Sequence, residues 1–167
     1  LVVQDLKTGE YKPHLAKSVS FVNPTVMEIV LKEGIKFHNG EPLNADDVVY
    51  TFQWQLDPEN KKNAAPSRTD WVSKAEKVSE KVARLHLKKP FAPAMDYLAQ
   101  NVPIYPDEYT KKVGSDGMSK QPIGTGPYKV KEVVPGKHII MEKNPDYFGG
   151  EKGKPVTGKI VMRIVPE

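Results

Sequence analysis

The sequence predicts a mixed α/β fold, with strand pairs at both ends of the chain and helices between them. Three observations lead there. Residues 26–32 and 82–87 alternate apolar with polar, the period of a half-buried strand. Residues 44–56 carry an apolar recurrence of helical spacing behind a capping Asn44. Residues 128–165 hold three further strand-like runs, two of them joined by Pro135-Gly136.

Taken in order, Leu1-Val2-Val3 is a short apolar run and Thr8-Gly9 a turn. Asn23-Pro24 separates 18–22 from 26–32, which predicts a hairpin with Met27, Ile29 and Leu31 on one face and Glu28 and Lys32 on the other. His38-Asn39-Gly40 is a tight turn, because Asn-Gly tolerates positive φ. The helix after it has Asp46 and Asp47 in its first turn, where the helix dipole favours negative charge. Ala45, Val49, Phe52 and Leu56 are expected on its buried face, and Asp57-Pro58 ends it. Residues 59–70 read as an exposed loop, and Trp71 opens a new ordered segment. Ala83, Leu85 and Leu87 point inward from the next strand, while His86 shares the outward face with Arg84 and Lys88. Short helices are expected over 93–100 and 107–113, then strands over 128–134, 137–143 and 159–165.

Composition narrows the function. A chain of 167 residues suits one domain, or one and part of another. Without Cys there is no disulfide scaffold, no Cys-ligated zinc, no iron–sulfur cluster and no thiol nucleophile. The longest uncharged stretches run to ten residues, as in 18–27, whereas a spanning helix needs about 20 apolar ones. The net charge is +4, but only Arg68, Arg84 and Arg163 among the 25 basic residues are arginines. Base-edge readout and phosphate clamps favour Arg, so no nucleic-acid partner is expected.

Catalysis finds no footing. His14, His38, His86 and His138 lack the paired spacing of a metal site and read as surface or turn residues. Gly124-Thr125-Gly126 looks like a piece of a phosphate loop, but Pro127 removes a donor; the better reading is a rigid bend feeding a strand. Asp46-Asp47 is explained by the helix start, and there is no Gly-x-Ser-x-Gly or His-Glu-x-x-His. No catalytic residue, metal or cofactor is expected. Phe37, Phe52 and Trp54 are expected in the core, while Trp71, Tyr97 and Tyr105 border loops, where an aromatic can face a ligand.

The run Leu31-Lys32-Glu33-Gly34-Ile35-Lys36-Phe37-His38-Asn39-Gly40-Glu41-Pro42-Leu43-Asn44-Ala45-Asp46-Asp47-Val48-Val49-Tyr50-Thr51-Phe52 resembles the signature of the family 5 extracytoplasmic solute-binding proteins, the peptide- and nickel-binding components of ABC importers. Three blocks follow in order: Leu87-Lys88-Lys89-Pro90-Phe91, Pro122-Ile123-Gly124-Thr125-Gly126-Pro127-Tyr128 and Glu142-Lys143-Asn144-Pro145-Asp146-Tyr147-Phe148. The resemblance implies a fragment of a type II periplasmic-binding-protein fold: a strand-rich small second lobe over 1–104 and part of the first lobe over 105–167. It implies that the N-terminal strand of the first lobe and the whole third lobe lie outside this chain. It further implies peptide capture, periplasmic or extracytoplasmic, for delivery to the membrane subunits of an ABC permease, with the signal segment outside this chain. By the same resemblance, 66–71 and 100–104 face the solute. Arg68 would offer a fork to a ligand carboxylate, Trp71 an apolar platform, and Asn101 a further contact. For Arg68 and Trp71 the competing reading is a solvated loop residue and a plug of the lobe's own core. A nickel chelate, an opine or a sugar is the alternative solute, and a structural or adaptor module the alternative class.

Overall fold

The computed structural model of the protein describes residues 1–60, 68–100 and 102–164, and it divides into two compact units. Unit 1 comprises Leu1–Glu33 and Asn44–Asp107; unit 2 comprises Gly34–Leu43 and Glu108–Glu167. The division differs from the expected segments 1–104 and 105–167 chiefly in Gly34–Leu43, which groups with the C-terminal residues. Residue spacing carries no sign of that, because the association is made by contacts distant in sequence.

Unit 1 is built on an antiparallel sheet in the order β3-β4-β6-β5, with β3 Ala16–Asn23, β4 Val26–Leu31, β5 Val72–Ser79 and β6 Val82–Leu87. Period-2 alternation sorts its side chains. Met27, Leu85 and Ala75 form one cross-strand row of the inner face, and Ile29 and Ala83 start the next. The opposite face carries Glu28, Arg84 and Glu76 in register, with the Arg84 guanidinium donating to Glu28 Oε2 from Nε (2.9 Å) and Nη2 (2.7 Å). Strand β5 escapes the sequence pattern because two register irregularities, between Val72 and Lys74 and between Lys77 and Ser79, interrupt its alternation. Before the sheet, β1 Val2–Gln4 and β2 Tyr11–Pro13 pair as a short hairpin, against which α2 Ala94–Gln100 packs.

Helix α1, Ala45–Leu56, packs on β5 and β6. Asn44 caps it as expected: its side chain accepts from Asp46 N (2.7 Å), and the Asp47 carboxylate accepts from Asn44 N (2.8 Å), closing a capping box. Its buried face agrees with the expected one at Ala45 and Phe52 and departs from it at Val49 and Leu56. Ala45, Val48 and Phe52 are buried together with the polar Asp47, Thr51 and Gln55, while Val49 and Leu56 are only half-buried. An apolar count cannot find a buried stripe in which Asp47 and Thr51 accept from backbone elsewhere in the unit.

Helix α3, Asp107–Lys120, belongs to unit 2 from Glu108 onward and is interrupted at Gly114 (φ 67°), so its first stretch ends where the sequence places the helix end. Strands β7 Tyr128–Val134, β8 His138–Lys143 and β9 Lys159–Arg163 form an antiparallel sheet in chain order, and α4 Gly150–Gly153 is a single turn.

Candidate functional site

The two segments expected to face a solute fall in unit 1. Of these, Asn101 and residues 66–67 lie outside the described residues. Arg68 is exposed on the turn that leads into β5, where Val72 N donates to Thr69 O (2.9 Å). Trp71 is 6% exposed and sits in an aromatic cluster. Its ring stacks on Phe91 (centroids 5.3 Å, 17°) and meets Phe52 (6.3 Å, 84°) and Tyr97 (6.2 Å, 73°) edge-on. These are the offset and T-shaped geometries that aromatic quadrupoles favour. The indole still does polar work: Nε1 donates to Arg68 O at 2.9 Å and so holds the turn that displays the guanidinium. Tyr105, half-buried, lies edge-on to Trp54 (5.9 Å, 66°).

A second convergence lies in unit 2, where three of the sequence blocks meet. The His38 ring is clamped at both nitrogens: Gly124 N donates to Nδ1 (3.2 Å), and Nε2 donates to Gly126 O (2.9 Å). Those partners require the neutral tautomer with its proton on Nε2. His38 N also donates to Gly124 O (2.8 Å). Gly126 O accepts a second bond from Asn144 Nδ2 (3.1 Å), Asn144 N donates to Pro127 O (2.8 Å), and Asn144 is buried. Gly124-Thr125-Gly126 is therefore a bend that presents its backbone to His38 and Asn144. Gly40 has φ 90°, and its N–H donates to Phe37 O (2.9 Å), making the turn that aims His38. Burial holds the imidazole below its ordinary pKa; the bond to Gly126 opposes this and Lys129 adds to it. The sequence reading took His38 for a surface or turn residue. It is in a turn, but it is half-buried and doubly bonded.

In unit 1, Asp47 is a buried and perturbed group. Burial raises its carboxyl from 3.8 to about 6, against the bonds from Asn44 N–H and Asp107 N–H (2.9 Å to Oδ1), with the carboxylates of Asp107 and Asp46 adding to the rise. Its helix-start position accounts for the first bond only; the bond to Asp107 N spans 60 residues of sequence. Among the described residues, no group of three or more His, Asp or Glu is placed to hold a metal, and no helix is long and apolar enough to cross a membrane. Within unit 1 the Trp71 cluster supplies apolar packing, and within unit 2 His38 and Asn144 supply backbone anchoring.

Comparison with known proteins identifies the family. Residues 10–167 match the family described as "Bacterial extracellular solute-binding proteins, family 5 Middle". Di/tripeptide-binding protein 4 of Pseudomonas aeruginosa is 34% identical over 155 residues, covering 80% of this chain and 28% of that protein. The structure of the oligopeptide-binding protein AppA of Bacillus subtilis, in complex with a nonapeptide, superposes with a TM-score of 0.85 at 28% identity, over 100% of this chain and 34% of that one. The binding protein AgaA of A. tumefacien R10, in complex with agropinic acid, gives a TM-score of 0.83 at 29% identity, over 97% of this chain and 32% of its own. The chain thus spans about a third of the length of these relatives, and its mixed α/β arrangement is that of a portion of the type II periplasmic-binding-protein fold. By sequence and by fold, the chain belongs to the bacterial extracellular solute-binding proteins of family 5.

Proposed function

We propose that the protein carrying this chain is the solute-binding component of an ABC importer, which captures oligo- or dipeptides outside the cytoplasm and hands them to a membrane permease. The observation that carries the reading is the 34% identity, over 80% of this chain, to a di/tripeptide-binding protein. The role is binding rather than catalysis. Lobes hinge around a solute and bury it, and the permease reads the closed form. Peptides are held through backbone hydrogen bonds and charged termini, with bridging water tolerating varied side chains.

Within this chain, Arg68 supplies a charge-assisted fork to a peptide carboxylate, and Trp71 serves the same site by bonding the turn that carries it. Asn101 completes the set. A second reading, an opine as the solute, is favoured by the 29% identity to the agropinic acid complex.

Native mass spectrometry of the protein purified gently from its own host tests the choice. A ladder of extra masses matching peptides is the expected result. A single sharp adduct would favour an opine, a metal chelate or a sugar. Protein that stays bare when offered a peptide mixture would overturn the peptide assignment.

A further inference from the structure

The buried polar residues of α1 fall at positions 47, 51 and 55, one per turn on one face of the helix. Two of them accept from the backbone of the segment that ends unit 1. Asp107 N donates to Asp47 Oδ1 (2.9 Å), and Tyr105 N donates to Thr51 Oγ1 (2.9 Å). The Thr51 hydroxyl proton is committed to Asp47 O (2.7 Å), so its oxygen is oriented as an acceptor.

The steps match. Four residues of helix advance about 6 Å, and two residues of extended chain advance about 6.6 Å. Each turn of α1 therefore meets every second residue of the segment. Alternation supports an extended course there: Val102, Ile104 and Pro106 are buried, while Pro103 is exposed and Tyr105 half-buried. The next turn of α1 carries Gln55, and the next residue of the segment is Pro103, which has no N–H. Gln55 is 4% exposed, and its Oε1 is buried without a partner among the described residues.

We propose that Asp47, Thr51 and Gln55 are positioning residues: a rail of three acceptors, one per helical turn, that sets the register of residues 103–107, with the Gln55 rung unused because Pro103 has no proton to give. The rail holds whatever solute is bound, so it does not depend on the function proposed above. It also accounts for the burial of polar residues on α1 where the sequence predicts Val49 and Leu56.

Amide hydrogen exchange on the full chain tests it. T51V should speed exchange at Tyr105 by about tenfold, the loss of one hydrogen bond, while other unit 1 amides change less. T51S, which keeps the hydroxyl, should restore the slow rate. P103A creates a backbone amide at position 103, which should exchange about tenfold more slowly than an unprotected amide. Adding Q55M to P103A should remove that protection. Wild-type exchange at Tyr105 in T51V, or a uniform acceleration across unit 1, would overturn the rail. An unprotected amide in P103A, or protection indifferent to Q55M, would overturn the third rung.

Discussion

The two units hold themselves together by different means. In unit 1 the inner face of β4 and β6 is closed: Met27, Ile29, Leu85 and, from α1, Phe52 expose nothing to solvent. In unit 2 no residue of β7, β8 or β9 is buried, and Val161 and Met162 are about half exposed (44% and 48%). What is locally fixed there is the hydrogen-bonded junction of His38, Gly126 and Asn144. The contrast teaches that antiparallel pairing does not by itself close an apolar face within this chain: β4 and β6 have one and β7, β8 and β9 do not, so the two respond to different perturbations.

The largest difference should come from side-chain truncation. Leu85→Ala empties a closed core and should cost about 2–5 kcal/mol in urea unfolding. Ile160→Ala, on the half-buried position of β9, should cost less than about 1 kcal/mol, because little area leaves water there. Equal costs would break the comparison.

Acidity should separate the two anchors next. The raised Asp47 carboxyl takes up its proton more readily in the folded chain than in the unfolded one. Its stabilising share is complete below pH 3.8 and is lost as pH rises through about 6. The lowered His38 imidazole works the other way. Its share is complete above 6.5 and fades as pH falls through its depressed value, since protonation puts a hydrogen on the nitrogen that accepts from Gly124 N–H. Stability of wild type relative to D47N should therefore rise as pH falls from 6 to 4, by about 1–2 kcal/mol. Relative to H38F it should fall as pH drops below 6.5. Differences against each variant are the quantity to measure, because His14, lowered chiefly by desolvation, adds a slope of its own to unit 1. Parallel slopes in the two comparisons would erase the distinction.

The smallest effect belongs to the solvent face of unit 1. Glu28→Gln weakens the pair with Arg84, whose side chains are 37% and 27% exposed for Arg84 and Glu28. Partly exposed pairs contribute about 0–1 kcal/mol, so urea midpoints should barely move.

Legibility divided by distance along the chain rather than by unit. The 26–31 and 82–87 strands, the Asn44 cap and the stop at Gly114 all rest on neighbours within a few residues, and each stands where the pattern puts it. Strand β5 was hidden by its bulges, and the buried face of α1 by polar partners 54 and 60 residues away in sequence. Trp71 is a site candidate through the family resemblance of 66–71. Its stacking on Phe91 and its bond to Arg68 O depend on where β6, α2 and the preceding turn come to rest. The family blocks were visible as words, yet nothing in their spacing says that three of them share the carbonyl of Gly126.

By itself, then, the sequence determined the alternation of strands, the capped helix and the tight turns, because steric preference, capping and periodicity act between residues close along the chain. Tertiary structure alone decided which side of α1 is buried, that Gly34–Leu43 groups with the C-terminal residues, and that His38 is a doubly bonded neutral ring. Those outcomes follow from satisfying buried donors and acceptors, and a hydrogen bond is indifferent to how many residues separate its two atoms.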